Sequence, residues 1–149
     1  MSSHEQDTAA ILDRLGRLVR ELTRLTGGGE ETRAMTASQR IALIELGLDG
    51  PLRVNDLAHR MGLSAPTASR AVDGLESLGL ATRAPAPGDR RALSIALTPQ
   101  GRALFDERYT LAAVVFAPAT ASLSAEERRM LIALLERMTD ALGGETRET

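Results

Sequence analysis

The residues best equipped for chemistry in this 149-residue chain are arginines, which supply all eighteen of its Lys-or-Arg positions. A guanidinium is a planar fork of donors that fits the paired acceptors of a phosphate or a guanine edge. From Pro51 to Arg102, seven arginines (53, 60, 70, 83, 90, 91 and 102) face four acids (Asp56, Asp73, Glu76 and Asp89), a local balance of +3 in a chain whose net charge is −2. A phosphate backbone senses charge within a Debye length of roughly 8–10 Å, so this basic middle third matters more than the total. Two groups within it have the types and spacing of a nucleic-acid reader. The first opens a helix: Ser64 is placed to cap it, Pro66 sits in its first turn, and Ala68, Val72, Leu75 and Leu78 form an inward stripe. That stripe leaves Ala65, Pro66, Thr67, Ser69, Arg70 and Asp73 outward. Small residues there allow close approach, the hydroxyls of Thr67 and Ser69 can reach bases or phosphates, and Arg70 can reach a guanine or a phosphate. The second group is a loop rich in turn formers, 84–92, that carries Arg90 and Arg91. Arginines on such a loop suit a narrow minor groove, where the negative potential is enhanced. Asp89 should repel DNA; it is expected to pair with a neighbouring arginine, Arg91 foremost, and to fix the loop's shape. Arg83, at the base of the same hairpin, joins the wing set.

Other chemistries lack their parts. There is no cysteine, which removes disulfides, thiolate catalysis and cysteine-ligated zinc. The two histidines, His4 and His59, do not pair convincingly with a serine or carboxylate, so no catalytic residue is assigned and an enzyme is not expected. His59 reads as a polar surface residue near DNA. Gly27-Gly28-Gly29 lacks the flanking strand and the lysine of a phosphate loop. No cofactor and no metal site is expected. No apolar run reaches membrane length, and Met1 to Asp7 has no leader-like apolar stretch, which predicts a cytoplasmic protein without a membrane partner.

The elements that must position these residues follow from periodicity. Ile11, Leu12, Leu15, Leu18, Val19, Leu22 and Leu25 predict an amphipathic helix capped by Asp7 or Thr8 and ended by the glycines at 27–29. Residues 30–35 read as a polar loop. Thr36 and Gln39 have capping-box spacing for a second helix, and a third runs from about Arg53 to Met61. Gly62-Leu63-Ser64 then gives helix-turn-helix spacing to the helix that ends at Gly79. Residues 80–83 and 93–97 read as two short strands flanking the arginine loop. Thr98 and Pro99 open another helix, expected to stop at Pro118, and Ser124 with Glu127 opens the last. Met35, Met61, Met130 and Met138 read as core fillers. Phe105, Tyr109 and Phe116 share a helix face. Core or dimer-interface packing is the commoner role for such a face, and a ligand pocket is the alternative.

The runs Ala65-Pro66-Thr67-Ala68-Ser69-Arg70-Ala71-Val72-Asp73-Gly74-Leu75-Glu76, Leu78-Gly79-Leu80-Ala81-Thr82-Arg83, Asp89-Arg90-Arg91 and Leu97-Thr98-Pro99-Gln100-Gly101 together resemble the MarR family, closely over about residues 36–104. The resemblance implies a single mainly α domain with a small β-hairpin wing. Residues 36–98 would be the winged helix-turn-helix region, and 8–26 and 99–142 the dimerisation helices; from the residues themselves, the terminal stretches 1–6 and 143–149 are expected to be disordered. It further implies a homodimeric, sequence-specific transcriptional regulator, by family habit a repressor, on a pseudo-palindromic operator of double-stranded DNA. A wing arginine, Arg90 or Arg91, would enter the minor groove. A small, often anionic aromatic ligand would release the protein. The alternative is a winged-helix interaction module that has lost DNA reading. The effector, the operator and the regulated genes are not legible in the sequence.

Overall fold

Side-chain caps set most helix starts in the computed structural model of the chain, which describes residues 1–27 and 29–145. Helix α1 (Ser3–Thr26) starts earlier than the Asp7–Thr8 cap predicts. Ser2 Oγ accepts from the Glu5 amide at 3.3 Å, and Glu5 Oε2 accepts from the Ser2 amide at 2.6 Å. This reciprocal box satisfies two amide donors at once, so residues 3–6 are helical, against the expectation of disorder. Helix α2 (Glu30–Ala34) replaces the expected loop; its five residues contain no breaker, and one turn closes through Arg33 N to Gly29 O at 3.1 Å. Helix α3 (Ala37–Asp49) begins at the Thr36–Gln39 box.

Strand β1 (Leu52–Arg53) leads directly into α4 (Val54–Met61). Gly62 then turns the chain with φ 64° and ψ 30°, a left-handed conformation that a Cβ would strain. Helix α5 (Ala65–Ser77) follows, capped by Ser64. Strands β2 (Ala81–Ala86) and β3 (Asp89–Leu97) form the hairpin. The sheet is antiparallel in the order β1-β3-β2, with Leu52 opposite Ile95, Ala81 opposite Leu97 and Ala86 opposite Asp89. The hairpin strands thus run well into the stretch expected to be loop, and the register shifts between Pro85 and Ala86. Two-residue β1 escapes a sequence reading because a strand that short shows no alternation.

Helix α6 (Pro99–Ala121) passes through Pro118 rather than stopping there. Beyond the proline, the Thr120 hydroxyl donates to the carbonyls of Phe116 and Ala117 at 3.4 and 3.0 Å. Helix α7 (Ala125–Glu145) starts at the Ser124–Glu127 box. It includes residues 143–145, expected from the sequence to lie in a disordered tail; 146–149 lie outside the described residues.

Residues Met1–Ala112 and Ala113–Thr149 form two units. The first holds the core. Leu46, Leu57, Val72, Leu75 and Ile95 are fully buried, one or two from each of α3, α4, α5 and β3. Each is worth roughly 1.5–3 kcal/mol of transfer free energy. Leu78, predicted to extend the stripe of α5, is 40% exposed, because the helix ends one residue before it; Ala71 is buried instead. Helix α1 has no buried residue although its apolar face is intact. The second unit is the end of α6 and α7, whose Met130, Ile132 and Met138 are exposed, so two of the four methionines expected in the core are surface residues.

Candidate nucleic-acid interface

Ser64 anchors the start of α5 in two ways. Its Oγ accepts from the Thr67 amide at 3.4 Å and lies 2.8 Å from Thr67 Oγ1. These hydroxyls hold the first turn, where unpaired backbone N–H groups point outward and the helix dipole favours an anion. Pro66 and Arg70 are exposed on this turn and the next, while Ala65 is half-buried and packs on the core. Arg70 Nη2 makes only a 3.4 Å contact with Thr67 Oγ1. Its guanidinium therefore stays available.

The second half of the helix is differently employed. Arg83, on β2, lays its guanidinium along α5. Its Nη2 donates to Ser69 O at 3.2 Å and Ser69 Oγ at 3.1 Å and pairs with Asp73 Oδ1 at 2.9 Å; Nη1 pairs with Glu76 Oε2. The Arg83 amide also donates to Glu76 Oε1 at 3.0 Å. Charge-assisted bonds of this kind, with one partner 22% exposed, exceed the 0–1 kcal/mol of a surface pair. The sequence pattern turns Ser69, Asp73 and Arg83 toward DNA; the structure also joins them to one another. The residue that the pattern misses is Glu76, whose place seven after Ser69 puts it on the same helix face.

Arg90 and Arg91 are exposed at the start of β3, just after the turn at Gly88. Asp89 makes its ion pair with Arg53 Nη2, at 3.7 Å, and not with a wing arginine side chain. Its Oδ1 accepts from the Arg91 amide at 3.0 Å, so Arg91 is engaged through its backbone alone. The acid is thereby turned from a repulsive charge into a brace between β1 and the hairpin. His59 is exposed on α4.

The aromatic set divides. Phe105 is buried; its ring stacks on that of Tyr109 with centroids 5.6 Å apart, and the Arg102 guanidinium lies 5.4 Å from its centroid. Tyr109 is 60% exposed, and Phe116, in the second unit, is half-buried. Phe105 fills the space beside Gly47 of α3, which is a packing role. Among the described residues no cluster of His, Cys, Asp or Glu could hold a metal ion, and no helix is long and apolar enough to cross a membrane.

Comparison with known proteins gives a consistent answer. Residues 35–92 match the MarR family. The HTH-type transcriptional repressor NicR of Pseudomonas putida is 31% identical over 107 residues, covering 72% of this chain and 68% of that protein. Among solved structures, RV1404 from Mycobacterium tuberculosis is similar with a TM-score of 0.75 and 28% identity over 96% of each chain. BpsR of Bordetella bronchiseptica, whose DNA binding is regulated by 6-hydroxynicotinic acid, is similar with a TM-score of 0.63 and 25% identity over 86% of this chain and 91% of that one. With its helix-turn-helix, its arginine-bearing wing and these relatives, the chain belongs to the MarR family of winged-helix, DNA-binding transcriptional regulators.

Proposed function

We propose that the chain works as a homodimeric repressor. Each protomer sets the start of α5 in the major groove of one half of a pseudo-palindromic operator and its wing in the adjacent minor groove. The observation that carries this reading is a division among the arginines. Between residues 51 and 102, Arg53, Arg60 and Arg83 are paired with carboxylates of this chain, and Arg102 donates to the Gly47 carbonyl oxygen. Arg70, Arg90 and Arg91 are exposed, and among the described residues no carboxylate lies within ion-pair distance of them. Within the winged region, cations paired with the chain's own acids stand beside Arg70, Arg90 and Arg91, which have no such partner among the described residues, and a polyanion is the ligand that fits those three. Pairing is supported by α1 and α7, whose leucines and isoleucines lie on the surface of the single chain and await a partner. Release by a small aromatic acid is supported by the similarity to BpsR, and repression by the similarity to NicR.

Selection of duplexes from a random-sequence pool, followed by anisotropy titration of the preferred duplex at several salt concentrations, tests the proposal. One preferred palindrome-like site is expected, with affinity falling steeply with salt. Binding without sequence preference would sink it, as would a monomer on the selected duplex.

A further inference from the structure

We infer that Arg83 is a positioning residue that sets the spacing between the two DNA-reading elements. The inference rests on the DNA reading above. Arg83 stands on β2, the strand that carries the wing, and its guanidinium meets Ser69, Asp73 and Glu76, three residues of one face of α5. Its own amide is held by the same Glu76, so backbone and side chain are fixed together. No other side chain among the described residues hydrogen-bonds from the wing hairpin to α5. The contacted residues Ser69, Asp73 and Glu76 flank Arg70 along α5, and Arg83 lies on the hairpin that carries Arg90 and Arg91. The contact therefore fixes how far the helix tip lies from the wing tip, and so how many base pairs separate the bases each one meets. A planar fork does this where a point charge cannot, because its donors are held at fixed angles to one another. It also occupies Asp73 and Glu76, two acids on the helix presented to the duplex.

The test uses the full chain and three duplexes: the duplex preferred by the wild type, the same duplex with one base pair inserted between the helix-contacted bases and the wing-contacted flank, and an unrelated duplex. Wild type should prefer the first over the second by about 10-fold or more, as expected when a specific contact is misplaced. Arg83→Lys keeps the charge but not the fork. It should lose about 10-fold on the preferred duplex, with the preference over the inserted duplex shrinking to about 3-fold or less and the unrelated duplex bound as before. Glu76→Gln, which keeps the shape of the acceptor, should move the ratio the same way by a smaller factor and provides the test if the lysine variant folds poorly. A merely structural role would lower all three affinities in proportion and leave the ratio unchanged, and that result overturns the inference. A wild type without a preferred duplex would overturn the DNA reading itself and this inference with it, and is seen before any variant is made.

Discussion

Arg90 and Arg91 differ from the other wing cation in what surrounds them. Arg83 is enclosed by acceptors, whereas the guanidinium groups of Arg90 and Arg91 are open to solvent. Arg90→Ala and Arg91→Ala should each weaken operator binding and lower the slope of log affinity against log salt by about 0.9 for each phosphate no longer neutralised. Arg70→Ala should cost about 1–3 kcal/mol on sites with a guanine under the helix and less on sites without one. Titrations at matched salt separate these outcomes; unchanged affinity would remove the residue from the interface. Two glycines permit a sharper comparison. Gly62→Ala meets open space and should cost only the backbone strain of its left-handed φ, about 1–2 kcal/mol. Gly101→Ala would place a Cβ 1.9 Å from the Leu80 carbonyl oxygen, so α6 or the Gly79–Leu80 turn must shift; the cost should exceed that of Gly62→Ala, about 2–3 kcal/mol, by chemical denaturation. At this scale the sequence reveals which side chains are charged but not which charges are already paired. The pairing among Ser69, Asp73 and Arg83 escapes a sequence reading because it depends on how β2 crosses α5, a tertiary fact that no local pattern contains.

Among the elements, those with a repeated apolar stripe and a cap were legible. Helices α3 and α7 begin at the capping boxes of Thr36–Gln39 and Ser124–Glu127. The turn between α4 and α5 falls at Gly62 as its spacing requires. What escaped was short or ambiguous: two-residue β1, five-residue α2, and the continuation of α6 past Pro118, where a side-chain hydroxyl reaches the helix carbonyls. The cap of α5 offers a direct check. Ser64→Ala removes the acceptor of the Thr67 amide and should cost about 1 kcal/mol of stability in a denaturant titration. Operator affinity should fall further than stability alone explains, because the first turn of α5 is also proposed to meet DNA. A variant with wild-type affinity would show that the turn is held without its cap.

For the whole molecule the governing observation is where apolar surface remains. Leu12 and Val19 of α1 are 65% and 61% exposed, and Leu131, Ile132, Leu134 and Leu135 of α7 lie on the surface of a single chain. Ile132→Glu with Leu135→Glu should shift sedimentation from dimer to monomer and abolish tight operator binding while the winged unit keeps its helical circular dichroism. A dimer unaffected by both charges would place the interface elsewhere. The sheet, in contrast, is guarded against self-recognition. Its long outer strand, β2, carries Pro85, which has no N–H to offer, beside an irregular register at Pro85–Ala86. A foreign strand seeking to extend the sheet would find a missing donor and a twisted border. The exposed border of the wing is therefore a poor seed for fibrous aggregation; Pro85→Val would trade that immunity for a smoother strand.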